Sequence, residues 1–304
     1  MTTQSKSRAE VIRLLKKDGS AEQRTPQEMT FAVNYLTFFG YIAVELLQHI
    51  DLESIKDAVK LFQHTFGLKS DGILGEKTLR AMSGPRCGCP DHIDAQNKSH
   101  LQFMLAQEIA VERRDRWNKQ GLTYTVDKFV LGKIPRPALL DTLAAAFKSW
   151  DDICSLHISE AKKPAMADIV ISYGKGPRQN FDGRGGTLAW AYLPTGADKQ
   201  LTMRFDIDET WVRNPKDRGV LLQNVACHEI GHLLGLTHST KPSALMAPYY
   251  NPFISAPQAD DDISRIVQIY GPNTQAVALR EVHKVGDNLI VELQPGQKLT
   301  VTCK

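Results

Sequence analysis

The sequence predicts an α+β protein in which a small all-helical unit precedes a larger domain of strands and helices. Apolar residues recur at helical spacing within residues 31–82. A segment rich in proline and glycine follows, and beyond it apolar runs typical of strands are interspersed with amphipathic helices. A chain of 304 residues is long enough for one large domain or two modest ones, each with its own core.

The composition is that of an ordinary globular protein, with 42% hydrophobic and 23% charged residues. The net charge is +3 and basic residues are interspersed with acidic ones, so we expect no nucleic-acid partner. No segment approaches the length of a membrane span, and the first residues lack the apolar core of a secretory signal. Five cysteines are sparse and odd in number, which argues against a disulfide framework.

The N-terminal region divides into a polar stretch and a compact helical unit. Residues 1–30 are predicted to form a flexible leader. Within residues 31–82, the stretch YLTFFGYI is apolar, and the helix that follows carries one buried stripe at helical spacing. The stripe consists of Ile55, Ala58, Val59, Phe62 and Phe66. A turn at Asp71 and Gly72 then precedes a short helix that ends near Met82.

A linker at residues 83–116 joins this unit to a second domain at residues 117–271. Its first part, SGPRCGCPDH, contains two prolines and two glycines and is expected to lack regular structure, and its second part is charged and weakly helical. The second domain shows the order β-α-β-β-β-α, then an irregular stretch and a last helix. The predicted strands are LTYTVDKF, ADIVISYG, GGTLAWAYLP and LTMRFDID, and the predicted helices lie at 136–153, 217–234 and 260–270. Residues 272–304 form a tail with two short strands and no assigned role.

Three of the nine histidines fall within one short stretch, VACHEIGHLLGLTH. Four residues separate His228 from His232, so on a helix their imidazoles lie one turn apart and about 40° round the axis. Gly235 can end the helix in a left-handed conformation, so that the chain turns back and brings His238 to the same point. Three neutral imidazoles leave the fourth position of a tetrahedral zinc open to a water that ionises near neutral pH.

Each part of this pattern also has an ordinary explanation. A single histidine on an apolar helix face usually serves packing, and His-Glu-x-x-His alone recurs by chance. The extended pattern, with Gly235 and His238 in register, makes chance remote. Glu229 emerges roughly 100° round the helix from His228 and can take a proton from a zinc-activated water. The sequence therefore predicts a zinc hydrolase with Glu229 as its general base.

The extended motif resembles that of the matrixin (matrix metalloproteinase) family of the metzincin clan. In that family a methionine-containing turn follows, and here ALMAPYY places Met246 eight residues after His238. The resemblance implies that Met246 lies beneath the zinc, and that Pro248 and Tyr250 form one wall of the pocket for the substrate side chain after the cut bond. It also implies a metzincin catalytic domain, with a mixed, twisted five-stranded sheet and the zinc on the active-site helix.

The linker sequence PRCGCPD resembles the cysteine switch of the same family, Pro-Arg-Cys-Gly-x-Pro-Asp. A thiolate is a strong zinc ligand, so Cys87 in the fourth position would keep the enzyme latent until proteolysis removes the segment. Arg86 and Asp91 would form the salt bridge that shapes this loop. Cys89 departs from the family, which usually has an apolar residue there. This second thiol can compete for the zinc, pair with Cys87 under oxidation, or form half of a separate metal site whose matching pair the sequence lacks.

Residues 31–82 resemble the helical prodomain of the family, through YLTFFGYI and AVKLFQHTFGLKSDGILGEKTLRAM. That bundle also resembles bacterial peptidoglycan-binding modules. The two resemblances imply either an inhibitory role or contact with a cell wall or extracellular matrix. The position of the unit directly before the switch favours the inhibitory role.

The family usually holds a structural zinc in addition to the catalytic one. The aligned positions in this sequence are Lys175, Pro177, Trp190 and Arg204. None of these is an ordinary zinc ligand, so we expect the structural zinc to be absent and packing around Trp190 to replace it in part.

The neighbouring calcium pattern of the family is better preserved. The resemblance implies carboxylate ligands from Asp182, Asp206 and Glu209, and main-chain carbonyls from Gly183, Gly185 and Thr187. The alternative is that FDGRGG is an ordinary turn and DIDE an acidic strand end.

The resemblance covers roughly residues 31–271, and the propeller of larger family members does not follow. It implies that the strand at 187–192 pairs with the substrate backbone, and that Asp261 and Asp262 brace the site from below. Both acids would also suit a helix N-terminus. By resemblance we expect a monomer that acts outside cells on proteins or peptides, although no signal peptide is visible in this sequence.

These inferences together predict a zinc-dependent metalloendopeptidase made as a latent zymogen. A rival is a binding protein whose helical module docks on a cell-wall glycan or a partner, with the zinc site permanently capped by Cys87. A non-enzymatic metal store is a third class, but it would leave Glu229 without a role.

Overall fold

The computed structural model describes residues 24–42, 51–92 and 116–274, together with the backbone of three strands beyond them. Most of the predicted leader and the predicted weak helix at 93–115 lie outside these residues. None of the helices described combines the length and the hydrophobicity that a bilayer crossing requires.

Three helices form the N-terminal unit. They are α1 (Pro26–Phe38), α2 (Leu52–Thr65) and α3 (Glu76–Met82). A capping box starts α1: the Thr25 hydroxyl accepts from the backbone of Glu28, and the Glu28 carboxylate accepts from the backbone of Thr25. Met29 is fully buried in the core of the unit. The boundary predicted at residue 31 is therefore wrong, because the helical unit begins by Thr25.

The core of this unit is apolar and partly aromatic. Its α2 contribution includes the buried residues Ile55, Ala58, Val59 and Phe62, as the helical spacing predicted, with Phe66 half-buried at the end of the helix. Phe62 packs edge-on against Tyr35 and Tyr41, with ring centroids 5.4 and 5.6 Å apart. These contacts hold the two tyrosine rings where their hydroxyls meet the linker.

The second domain is built around a six-stranded sheet with the strand order β1-β5-β6-β4-β2-β3. The strands are β1 (Arg86–Cys87), β2 (Gly121–Val126), β3 (His157–Glu160), β4 (Ile169–Gly174), β5 (Thr187–Ala191) and β6 (Leu201–Asp206). β5 runs antiparallel to β6, and the other neighbours are parallel. The α+β class and the mixed sheet are confirmed. Five strands belong to the second domain, and the sixth comes from the linker, which was expected to lack regular structure.

Helix α5 (Leu222–Leu233) carries the histidine motif and packs against α4 (Arg136–Asp151), while α6 (Asp262–Tyr270) closes the domain. The indole Nε1 of Trp150 on α4 donates to the carbonyl of Cys227 on α5 at 2.9 Å. A short parallel pair, β7 (Trp211–Val212) and β8 (Val220–Leu221), leads directly into α5. This pairing holds the chain extended, so the helix begins later than residue 217, where the sequence placed it.

Two further elements differ from the sequence prediction. β3 was missed because most of its residues are exposed and carry no apolar alternation. Beyond α6, an antiparallel sheet of β9 (Val282–Val285), β10 (Asn288–Gln294) and β11 (Gln297–Thr302) stands where two strands were expected.

Candidate metal centre

The three histidines of the motif converge at the C-terminal end of α5. His228 and His232 project from the last turns of the helix, and Gly235, at φ 100°, lets the chain reverse. The reversal brings His238 back to the other two rings. The ring centroid of His228 lies 4.9 Å from that of His232 and 5.3 Å from that of His238, and the last two lie 4.7 Å apart. All three side chains are buried.

Backbone carbonyls fix which ring nitrogens face the centre. Nδ1 of His228 lies 2.7 Å from the carbonyl of Leu245, and Nδ1 of His232 lies 2.7 Å from that of Leu236. A carbonyl only accepts, so each Nδ1 carries the proton and each Nε2 presents a lone pair. Nε2 of His228 has no hydrogen-bond partner among the described residues.

The Nε2 atoms of His232 and His238 lie 3.2 Å apart, and Cys87 Sγ lies 3.4 Å from Nε2 of His232. Tetrahedral zinc with ordinary bond lengths places its nitrogen and sulfur ligands about 3.3–3.6 Å from one another. The ligand atoms of Cys87 and the three histidines all lie within 4.8 Å of one another. Three ring nitrogens and one sulfur brought this close together, with the His228 nitrogen left unpartnered, fit a tetrahedral zinc.

Burial keeps these imidazoles neutral. Burial, with a smaller contribution from His238, lowers the pKa of His228 to about 3, and burial also lowers the pKa of His232. Neutral rings are the form that ligates a metal.

Glu229 lies beside the histidines and is fully buried. Neither carboxylate oxygen has a hydrogen-bond partner among the described residues, and the group lies within 4.8 Å of Cys87 Sγ. Burial raises the pKa of its carboxyl to about 8. A carboxyl in such surroundings can hold and release a proton near neutral pH.

Met246 packs against α5 at Gly231. A Cβ atom at Gly231 would come within 2.4 Å of the Met246 sulfur, so only glycine allows this close approach between α5 and the turn. Asp262 accepts from the backbone N–H of Leu245 and Met246, at 2.7 and 3.1 Å, and thereby holds the turn. Its neighbour Asp261 pairs instead with Arg265, 3.3 Å away.

The linker runs through the groove in front of the histidines and is held at both edges. The backbone N–H of Gly88 donates to Ala189 of β5 at 2.8 Å, and that of Cys87 donates to Pro248 at 3.0 Å. β1 pairs with β5 in parallel. The strand edge expected to bind substrate is therefore occupied by the linker in this structure.

Arg86 and Asp91 form a fully buried ion pair, with Nη2 and Oδ1 2.5 Å apart. Tyr35 accepts from the guanidinium, and Tyr41 donates to Asp91 Oδ2 at 2.5 Å. Burial alone would raise the pKa of the Asp91 carboxyl, but Arg86 and then His238 lower that pKa well below its usual range. Asp91 Oδ1 also lies 2.7 Å from Nδ1 of His238, so one carboxylate joins the helical unit to the metal centre.

Arg86, Asp91 and the side chains that contact them form a lock over the metal centre. The lock includes more residues than the sequence indicated. The Arg86 guanidinium lies 3.4 Å from the centroid of the Phe39 ring, in cation–π contact. The sequence predicted the Arg86–Asp91 bridge from the linker alone and missed Tyr35, Phe39 and Tyr41. These residues lie roughly fifty positions away, and no local spacing in the sequence connects them to the linker.

A cleft opens beside Glu229. Its lining includes Pro248, Tyr250, Cys87 and Asn224, and a substrate role for the first two stays a prediction. The Tyr250 hydroxyl accepts from the backbone of Leu221 at 2.9 Å, which fixes the wall. Asn224 donates to the carbonyl of Asn251, and sequence reasoning did not single it out.

The carboxylates expected to bind calcium lie on the loop before β5 and at the end of β6. Asp182 accepts from the backbone of Thr187 at 2.7 Å, and Glu209 accepts from that of Gly185 at 2.5 Å. Asp206 is fully buried, and its Oδ2 has no partner among the described residues. Burial and neighbouring carboxylates, Asp182 among them, raise the pKa of Asp206. Carboxylate oxygens are the ligands that a hard cation such as calcium prefers.

Two glycines of this loop have backbone conformations that other residues rarely adopt. Gly183 and Gly185 take positive φ angles of 92° and 90°. These angles favour glycine and let the loop fold back over β5.

The positions aligned with the structural zinc of the family lie near Trp190. The Arg204 guanidinium stands 5.4 Å from the centroid of the Trp190 ring, whose Nε1 donates to the carbonyl of Gln179 at 2.9 Å. The backbone of Lys175 donates to the Gln179 side chain, and Pro177 begins a short 3-10 turn. Packing and hydrogen bonds join these residues, and the absence of the structural zinc stays a prediction.

Comparison with known families gives two matches. A family model described as matrixin matches residues 116–271, and one described as a putative peptidoglycan binding domain matches residues 25–82. The second match starts at Thr25, where the capping box begins α1.

Similar curated proteins are longer than this chain. An interstitial collagenase of Equus caballus is 35% identical over 229 residues, covering 73% of this chain and 44% of the relative. Matrix metalloproteinase-25 of Mus musculus is 30% identical over 279 residues, covering 87% and 44%. A hatching enzyme of Paracentrotus lividus is 36% identical over 222 residues, covering 71% and 34%. The chain thus spans less than half the length of these relatives.

Proposed function

Because the chain belongs to the matrixin family, we propose that it is a zinc-dependent endopeptidase held latent by its own linker. The observation that carries this proposal is the convergence of three buried imidazoles on Cys87 Sγ, with Glu229 beside them. When bound by His228, His232 and His238, zinc supplies the positive charge that polarises a peptide carbonyl and lowers the pKa of a water.

Glu229 is the proton carrier of the proposed reaction. Its buried carboxylate accepts a proton from the attacking water and returns it to the leaving amine. A pKa raised by burial makes both transfers feasible near neutral pH. The carbonyls of Leu245 and Leu236 hold two of the histidine rings in the tautomer that faces the centre.

The groove orients the substrate. Its backbone would take the place of the linker along β5, with hydrogen bonds such as the one that Gly88 donates to Ala189. The side chain after the cut bond would enter the cleft walled by Pro248 and Tyr250. Proteins or peptides are therefore the proposed substrates.

Latency follows from the same contacts. Cys87 fills the fourth position and, with the linker, keeps both water and substrate from the centre. The helical unit contributes Tyr35, Phe39 and Tyr41 to the lock on Arg86 and Asp91. Since these aromatic residues are used in that contact, an inhibitory role is favoured over docking on a cell-wall glycan.

The acidic loop is proposed to bind calcium through Asp182, Asp206 and Glu209, with carbonyls from the glycine loop. Secretion is also proposed, because relatives of this family typically act outside cells.

The test compares the wild-type chain with Glu229→Ala after limited proteolysis in the linker. The wild type should cleave a quenched-fluorescent peptide, and the variant should bind zinc in equal amount but fail to cleave. Zinc is measured by atomic absorption on the same samples. Cleavage by Glu229→Ala at the wild-type rate would remove Glu229 from the mechanism, and wild-type protein without stoichiometric zinc would overturn the proposal.

A further inference from the structure

Two thiols lie side by side in the lock, and the proposed peptidase function uses only one of them. Cys87 and Cys89 are both buried and unpaired. The Cys89 backbone N–H lies 3.3 Å from Cys87 Sγ, so the first sulfur is turned toward the second residue. The two sulfur atoms lie within 4.8 Å of each other, in a group that also includes Glu229 and His232.

The backbone between them suits a covalent bond. Residues two apart have Cα atoms at most about 7 Å apart, near the 4.4–6.8 Å range of disulfides. The residue between them is Gly88, and a Cβ there would meet Thr187 Cγ2 at 2.5 Å. Gly88 thus keeps the linker tight against β5 and leaves no side chain between the two thiols.

Access to the pair is unequal. Cys87 lines the cleft beside Glu229 and Cys89 does not, so a small oxidant in that cleft meets Cys87 first. Cys89 lies behind it, where its thiol donates to the carbonyl of Ala191 at 3.2 Å. The pair thus has one thiol that borders the cleft, suited to attack an oxidant, and a second thiol next to it that can resolve the oxidised sulfur.

We propose that Cys87 and Cys89 are a covalent modification site at which a peroxide converts the two thiols into a disulfide. Cys87 Sγ attacks one peroxide oxygen, the O–O bond breaks, and the released hydroxide leaves as water with a proton. The Cys89 sulfur then attacks the oxidised Cys87 sulfur, the S–O bond breaks, and a second water leaves with the Cys89 proton. Two thiols and one hydrogen peroxide give one disulfide and two waters.

The consequence for latency rests on the proposed peptidase function. A sulfur bonded within a disulfide is no longer a thiolate and cannot hold the fourth ligand position. Oxidation would therefore release the centre without a cut in the chain, and a dithiol reductant would restore the lock. Cleavage of the linker would release it irreversibly.

The full chain, treated with hydrogen peroxide, tests this proposal by mass spectrometry. We expect the intact protein to lose two hydrogen atoms, with a Cys87–Cys89 disulfide in the peptide map, and to recover its mass after dithiothreitol. Cys89→Val and Cys89→Ser should not form this bond, and Cys154→Ala, which removes a fully buried thiol elsewhere, should behave like the wild type. Two substitutions at residue 89 guard against one that misfolds, which circular dichroism would reveal.

Peptide cleavage is measured on the same samples. Oxidised wild type and Cys154→Ala should gain activity that dithiothreitol removes, and the Cys89 variants should gain none until their linker is cut by protease. Oxygen adducts on Cys87 without a disulfide would overturn the proposed site. A disulfide in protein that remains inactive even after linker cleavage would leave the modification site standing and refute the peptidase function instead.

Discussion

The metal centre and the lock that covers it are assembled in opposite ways. The three histidines come from eleven consecutive positions, 228–238, and one helix with its reversal brings them together. The lock joins α1, the linker and the metal centre through Arg86 and Asp91. The comparison teaches that ligand geometry is local and self-contained, whereas latency depends on buried contacts between distant segments.

Removing a zinc ligand should have the largest effect on zinc binding and peptide cleavage, because each of the three histidines is needed to hold the ion. We expect His232→Ala to abolish both zinc binding and peptide cleavage, before and after linker cleavage. Loss of an outer-shell partner alone weakens metal affinity about 10–100-fold, so loss of a ligand should exceed this. Zinc content is measured after dialysis against a graded chelator.

His157→Ala is the matched control for this variant, because the His157 side chain is mostly exposed. It should keep wild-type zinc content. If His232→Ala retained zinc in the latent form and lost it only after linker cleavage, zinc binding would depend on the lock, and the contrast between the lock and the metal centre would fail.

Breaking the lock should leave the metal in place and remove latency. Arg86→Ala leaves Asp91 as a buried, uncompensated charge, and breaking a buried pair costs about 3–5 kcal/mol. We expect the variant to cleave peptide without any cut in its chain. Activity is followed together with intact mass, to show that the chain is whole.

The control is Arg80→Ala, which removes an exposed ion pair with Glu76 on α3. Exposed pairs contribute about 0–1 kcal/mol, so this variant should stay latent. Equal latency of both variants would show that the thiol alone maintains the closed state.

The same contrast explains what the sequence could predict. The α+β class, the buried stripe of α2 and the ligand positions follow from local periodicity and spacing. Tyr35 and Tyr41 could not be found, because nothing in their neighbourhood differs from ordinary core aromatics. β1 was missed for a related reason: its two residues are extended only because Gly186, just before β5, accepts from the backbone of Arg86, and Pro248 accepts from that of Cys87.

The acidic loop is a third region, outside both the centre and the lock, and its effect should fall on stability. If calcium binds there at about one hundred times its dissociation constant, the folded state gains about 2.7 kcal/mol. We expect calcium to raise the melting temperature of the wild type but not of Asp206→Asn, with the exposed Asp217→Asn as control. An equal rise in both variants would place the calcium elsewhere.

The smallest effect is expected from one hydroxyl within the lock. Tyr41→Phe keeps the ring contacts with Phe62 but removes the hydrogen bond donated to Asp91 Oδ2. A hydrogen bond to a charged group contributes about 1.5–3 kcal/mol, and since Arg86 still pairs with Asp91 we expect the lower end. The closed state should weaken about tenfold, because 1.4 kcal/mol corresponds to a factor of ten.

The measurement is the rate at which the full chain reacts with a thiol reagent at Cys87, read by peptide mapping. Tyr173→Phe, at an exposed ring remote from the lock, should react at the wild-type rate. Because the lock connects the Tyr41 hydroxyl to the Cys87 thiol, loss of the hydroxyl should speed the reaction of the thiol. An unchanged rate in Tyr41→Phe would mean that Arg86 and His238 hold Asp91 without help from the helical unit, and the lock would then be as local as the centre that it covers.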